Sequence, residues 1–120
     1  MLIMHELGIA NQVFDLLKSE AESRHATVKG VKLIIGRMSG IMPDSLVFLL
    51  ETISQGSVCS GMKIEFKLVD PELVCSNCGN SFSAEGYDFT CPECGSGDCK
   101  MVSGRDLIVE KIHMEVDDGD

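Results

Sequence analysis

Tryptophan is absent, and five phenylalanines with one tyrosine are the only aromatic residues among 120. A core built from this chain must therefore be mostly aliphatic. Positive charge is also scarce. Ten Lys and Arg stand against nineteen Asp and Glu, for a formal net charge of −9. Binding to a phosphate backbone needs a cluster of basic side chains. The sequence has no such cluster, which argues against nucleic acid and anionic membranes as partners. No apolar run approaches the ~20 residues of a membrane-spanning helix. The first residues lack the basic start and long apolar stretch of a signal peptide. A cytoplasmic protein is expected. In a reducing compartment its six cysteines read as thiolates or metal ligands rather than disulfides.

The acidity is uneven. Residues 1–70 carry eight acids and seven bases, residues 71–105 five and two, and residues 106–120 six and one. The closing "EVDDGD" reads as a solvated tail. At 120 residues, 44% hydrophobic and 24% charged, the chain fits one small domain carrying a smaller module.

Residues 7–21 have helical period. Leu7, Ala10, Phe14, Leu17 and Ala21 share one face, with Asn11, Asp15, Lys18 and Glu22 opposite. In "TVKGVKLIIG", Val31, Leu33 and Ile35 alternate with Lys32, Ile34 and Gly36, the period of a strand. A second helix begins at Pro43, which suits a first helical position. Asp44 then suits the positive first turn. Leu46, Leu49, Leu50 and Ile53 form its apolar stripe. "MKIEFKLVD" is the clearest strand, with Met62, Ile64, Phe66 and Leu68 on one face.

Residues 71–104 are rich in Gly, Ser and Cys and have no apolar period. From Asp106, "DLIVEKIHMEV" reads as a last strand. These features predict an α/β (α+β) fold, two helices on a small mixed β-sheet, with an inserted four-cysteine zinc-ribbon module. The expected division is residues 1–70 plus 106–116 as one domain, 71–105 as the zinc module and 117–120 as an acidic tail.

Cys75-Ser-Asn-Cys78 and Cys91-Pro-Glu-Cys94 form two C-x2-C knuckles separated by twelve residues. Two residues between cysteines let both sulfurs of a tight turn meet one ion, and Gly79 and Gly95 let the backbone turn beneath it. Four thiolates make the usual closed zinc site, which folds a module rather than catalysing. Rubredoxin-like iron uses the same ligands. Phe82, Tyr87 and Phe89 are expected to form the module's own small core. Cys99 reads as a spare reduced thiol, and Cys59 as a small buried hydrophobe.

His5 and Glu6 stand in "MLIMHELGIA". Glu6 near a helix start is a favourable dipole partner. A chain starting at Met4 would make His5 its second residue. An amine, the following amide nitrogens and the imidazole would then form a planar four-nitrogen set, which Ni(II) and Cu(II) accept and from which zinc gains nothing comparable. His113 shares a strand face with Lys111 and Glu115, and His25 sits at a polar helix end. Neither is assigned a metal.

"MHELGIANQVFDLL", "IGRMSGIMPDSLVFLLE", the paired knuckles and "SGRDLIVEKI" occur in this order. Together they resemble the HypA/HybF family of hydrogenase maturation nickel chaperones, over about residues 4–116. The resemblance implies a metallochaperone, not an enzyme, that delivers Ni(II) to the [NiFe]-hydrogenase large subunit with the GTPase HypB. It implies nickel at Met4, His5 and Glu6, with His5 as the imidazole ligand and the other two giving mainly backbone nitrogens. It implies structural zinc at Cys75, Cys78, Cys91 and Cys94. A monomer or weak homodimer is expected. The chain departs from the pattern in one respect: "MLI" precedes the motif. With Met4 as the true start the amine is in place. With Met1 retained, nickel needs the Met4 amide or other ligands. Two other readings stay open, a zinc-ribbon interaction module without nickel transfer and a rubredoxin-like electron carrier.

Overall fold

A computed structural model of the chain describes residues 2–116. The expected acidic tail, 117–120, lies outside the described residues. The elements run α1 (Leu2–Ser23), β1 (Ala26–Gly36), α2 (Pro43–Ser54), β2 (Lys63–Val69), β3 (Glu72–Cys75), β4 (Ser81–Ser83), β5 (Cys99–Ser103) and β6 (Leu107–Val116). They make two three-stranded sheets, ordered β2-β1-β6 and β4-β3-β5. In the first, β1 is central, parallel to β2 and antiparallel to β6. The mixed sheet and the two helices thus agree with the sequence pattern. The helix α1 starts five residues earlier than its apolar period indicates.

One face of the first sheet carries the core. Val31, Leu33 and Ile35 of β1 are buried with Ala10, Val13, Leu17 and Ala21 of α1 and Leu46 and Leu50 of α2. Each fully buried aliphatic side chain contributes on the order of 1.5–3 kcal/mol, so this layer supplies most of the hydrophobic stabilisation. Cys59 is fully buried in the same cluster, as its reading as a hydrophobe requires. The other sheet face is open. Lys32, Lys63, Glu65, Lys111 and His113 stand on it in solvent, and Lys32 pairs loosely with Glu110 at 3.4 Å.

The helix α1 closes on His25, whose φ of 50° is left-handed and whose N–H donates to the Glu22 carbonyl. A histidine tolerates that conformation better than a branched residue does. Its role at the helix end is thus backbone geometry, with the ring exposed.

The second sheet lies beyond the first. The radius of gyration is 18.1 Å, against about 14 Å for a compact chain of this length, and the long axis measures 64 Å. Two backbone segments join the sheets and touch each other. Met38 N–H donates to the Gly104 carbonyl, Arg37 N–H to Val69 and Gly36 N–H to Asp106. Arg37 Nε also pairs with Asp70 Oδ1 at 2.7 Å.

Two glycines are required at this junction. A Cβ at Gly36 would fall 2.1 Å from the Gly104 carbonyl oxygen, and one at Gly104, whose φ is 107°, would fall 2.5 Å from Pro71 Cα. Both obstacles are main chain and cannot swing aside. Gly36→Ala is therefore expected to cost at least the upper end of the ~1–3 kcal/mol range for overpacking. Gly8, inside α1 with open space around it, should behave oppositely. Gly8→Ala is expected to stabilise by roughly 0.5–1 kcal/mol. Denaturant midpoints of the two variants check both signs.

Candidate metal centre

The knuckles are hairpin turns closed by backbone hydrogen bonds. Gly79 N–H donates to the Cys75 carbonyl and Gly95 N–H to the Cys91 carbonyl, each at 2.9 Å. Both glycines have φ near 80°, at 79° and 77°, which leaves an L side chain strained there. Each turn returns its second cysteine beside the first.

The four sulfurs of Cys75, Cys78, Cys91 and Cys94 lie within 4.8 Å of one another. Cys75 and Cys94 Sγ are 3.5 Å apart, and Cys78 and Cys91 Sγ 3.6 Å. A tetrahedron with metal–sulfur bonds of about 2.3 Å has edges of about 3.8 Å. The tetrad is thus close to the size of a four-sulfur zinc or iron site. Cys75 and Cys91 are buried, while Cys78 and Cys94 are exposed. Four sulfurs fill a tetrahedral set, so an ion held there would have no position open to a substrate.

Its protons are unequal. The Cys78 N–H, then the Asn77 N–H and the neighbouring thiols, hold Cys75 down to about 6. The Asn80 N–H acts to lower Cys78, but burial and the Cys91, Cys94 and Cys75 sulfurs outweigh it and push Cys78 up to about 12. Four thiolates this close repel one another, and only a cation lets all of them ionise together. Two amides that the cysteine spacing does not reveal support the sulfurs: Asn77 Nδ2 lies 3.6 Å from Cys94 Sγ and Asn80 Nδ2 3.8 Å from Cys91 Sγ. Such outer contacts tune a thiolate site.

The expected small core of this module is only partly present. Phe82 and Phe89 are half-buried, but Tyr87 is 83% exposed. Pro71, Leu73 and Ala84 are the buried apolar residues instead. Tyr87 lies on a turn that borders a shallow cleft with Arg37, Pro43 and Leu68, and its ring stays in solvent.

The amino-terminal residues sit elsewhere. His5 is exposed on α1 and opens on a groove with Ile9, Ser39, Ile41, Asp106 and Leu107 along its walls. Met4 belongs to the same helix. Glu6 points the other way. Its side chain is fully buried, and Oε2 accepts the Met42 N–H at 3.1 Å.

Met42 is the N-cap of α2 and has no side-chain cap of its own. A glutamate normally reaches an N-cap N–H from three residues into the same helix. Here Glu6 does so from a different helix, where the positive end of α2 favours its carboxylate. The sequence did carry a signal: the third helical position is Ser45 rather than Glu or Gln, so no residue of α2 completes a capping box to the Met42 N–H and its acceptor comes from outside the helix. The second oxygen, Oε1, is buried with no hydrogen-bond partner among the described residues.

Glu6→Ala removes the acceptor and opens a cavity. It should cost about 2–4 kcal/mol, combining an unpaired N–H with lost packing. Glu6→Gln keeps an acceptor oxygen and should cost much less. Thermal melts of the two variants separate these outcomes.

The family model described as "Hydrogenase/urease nickel incorporation, metallochaperone, hypA" matches residues 4–114. The chain belongs to the HypA family. By that membership it is a nickel metallochaperone of hydrogenase maturation. Among curated relatives, hydrogenase maturation factor HypA of Caldanaerobacter subterraneus subsp. tengcongensis is 33% identical over 115 residues, spanning 93% of this chain and 100% of that one. The factor of the same name from Chlorobium phaeobacteroides is 34% identical over 113 residues, with the same coverage. A solved structure, the solution structure of the Ni metallochaperone HypA from Helicobacter pylori, superposes with a TM-score of 0.70 at 22% identity. It covers 93% of this chain and 98% of that one, and the likeness is one of fold. The family match begins at Met4, the first residue of the Met-His-Glu motif.

Proposed function

We propose that the chain carries nickel at Met4, His5 and Glu6 and zinc at Cys75, Cys78, Cys91 and Cys94. The observation that carries the nickel reading is the exposed imidazole of His5 at the start of a family match whose description is nickel incorporation. A chaperone must release its cargo, and a ligand set at the open end of a helix suits that. Glu6 gives its backbone nitrogen, because its carboxylate is committed to Met42. The buried carboxylate then holds the adjacent residue, His5, against the body of the domain.

Helix geometry bears on the amide nitrogens. The first four N–H groups of a helix have no acceptor within it. In a helix counted from Leu2, these end at His5, and the Glu6 N–H is engaged. In one counted from Met4, both His5 and Glu6 nitrogens are free to lose a proton to nickel. This favours Met4 as the amine-bearing residue. The intact mass of the protein from its own host tests that choice.

The tetrad is read as zinc because the closed four-sulfur arrangement is the usual structural zinc site; iron would make the protein visibly coloured. The zinc serves residues 71–105 as a folding ion, and residues 1–70 plus 106–116 form the nickel-bearing domain. The protein works in the cytoplasm as a carrier and not as an enzyme, as a monomer or weak homodimer. It hands Ni(II) to the [NiFe]-hydrogenase large subunit together with the GTPase HypB. Calorimetric titration is the test: one Ni(II) per chain is expected, with binding that depends on His5.

A further inference from the structure

Six cysteines are present, and the tetrad uses four. Cys59 is fully buried among aliphatic side chains. Cys99 is different: it is half-buried and stands directly beside the tetrad. The strands β3 and β5 pair antiparallel with Cys75 opposite Cys99. The next pair outward is bonded, Ser76 N–H to the Asp98 carbonyl at 2.9 Å. The Cys75 N–H points away from β5, to the Asn80 carbonyl at 2.8 Å. Cys75 and Cys99 are therefore a non-hydrogen-bonded pair, the kind in which opposed Cα atoms approach to about 4.5 Å. A disulfide bridges Cα atoms about 4.4–6.8 Å apart. The Cys99 thiol also donates to the Ser96 carbonyl at 3.6 Å, the same oxygen that accepts the Cys91 N–H. The fifth sulfur thus sits between both knuckles.

We propose that Cys99 is a redox partner of Cys75, and that a hydroperoxide joins the two in a disulfide that removes Cys75 from the metal tetrad. Among the described residues Cys99 is the one thiol that is neither a member of the tetrad nor fully buried, so it stays open to a small oxidant while the four others hold an ion. The Cys99 sulfur attacks one peroxide oxygen as its thiol proton is lost. The S–O bond forms, the O–O bond breaks, and the departing hydroxide takes up the proton as water. The Cys75 thiolate then attacks the Cys99 sulfur; the S–S bond forms, the S–O bond breaks, and a second hydroxide leaves and is protonated by solvent. The two sulfurs are oxidised and hydrogen peroxide is reduced to two waters. With Cys75 in the disulfide, three thiolates remain to hold an ion. The loss of metal rests on the zinc reading above; closure of the disulfide does not.

The experiment uses the full chain, assayed for zinc as purified and then treated with stoichiometric hydrogen peroxide. Zinc release is followed with a chromogenic chelator, and the disulfide is located by peptide mass mapping without reduction. The expected result is a Cys75–Cys99 link, one zinc released per link, and rebinding after dithiothreitol. Cys99→Ser should hold its zinc through the same treatment. Should that variant lose zinc before oxidation, Cys99→Val takes its place, and the map of the unsubstituted chain decides without either. Links confined to the four tetrad cysteines would overturn the proposal, as would equal zinc release from wild type and Cys99→Ser. A chain that carries no zinc yet closes Cys75–Cys99 would sink the zinc reading and uphold the disulfide.

Discussion

His5→Ala is expected to abolish nickel binding in the micromolar range while leaving the fold untouched. The side chain is exposed on α1, and surface substitutions away from special contacts usually change stability by no more than ~0.5 kcal/mol. Its contribution to the metal is of another size. Loss of a mere outer partner of a ligand lowers metal affinity about 10–100-fold. Loss of the imidazole itself should exceed about 100-fold, or roughly 2.7 kcal/mol. Zinc content should stay constant, because the tetrad contains no histidine. Calorimetry with Ni(II) and metal analysis on the same sample give both readings. An unchanged nickel affinity would refute the amino-terminal site. Copper is a useful second titrant, since raw affinity favours it over nickel and the same planar nitrogen set should lose both.

Cys75→Ser is expected to unfold the ribbon and spare the helices. The ribbon buries few apolar side chains, chiefly Pro71, Leu73 and Ala84, and one buried leucine offers only about 1.5–3 kcal/mol. Structural zinc supplies on the order of 10–16 kcal/mol in small modules, comparable to the ~5–15 kcal/mol of a whole domain. Removing one of four thiolates therefore removes most of what orders residues 71–105. Both α1 and α2 lie in the other layer, over the aliphatic core of β1. The far-ultraviolet helical signal should survive while zinc falls below one per chain. Collapse of that signal as well would mean that the two parts fold only together.

The sequence made some of this legible through local pattern. Alternation in "VKLII" put Val31, Leu33 and Ile35 on the buried face. Spacing in α2 gave its stripe, and the two knuckles gave the tetrad. Pairing was not legible: nothing local says that β1 lies between β2 and β6, or that Cys99 faces Cys75. Periodicity also started α1 late, because the buried position one turn before Ala10 is Glu6, a charged residue that does not read as part of an apolar face. The largest surprise is Glu6. A carboxylate near a helix start reads as a partner for the dipole of its own helix, whereas this one accepts a backbone N–H 36 residues away, at the start of α2. Tyr87 failed for a related reason. An aromatic in a ribbon hairpin suggests a core, but this hairpin leaves the ring outside.

The glycine contact at Gly36 and Gly104 has a bearing on how freely this protein can be rebuilt. The meeting surface is carbonyl against Cα, so the set of the ribbon against the sheet is held chiefly by main chain, with the Arg37–Asp70 pair beside it. Side chains further into the ribbon can be exchanged without altering that angle. A ribbon of foreign sequence could be grafted between Pro71 and Gly104 and inherit the same orientation, provided that the proline and the two glycines are kept.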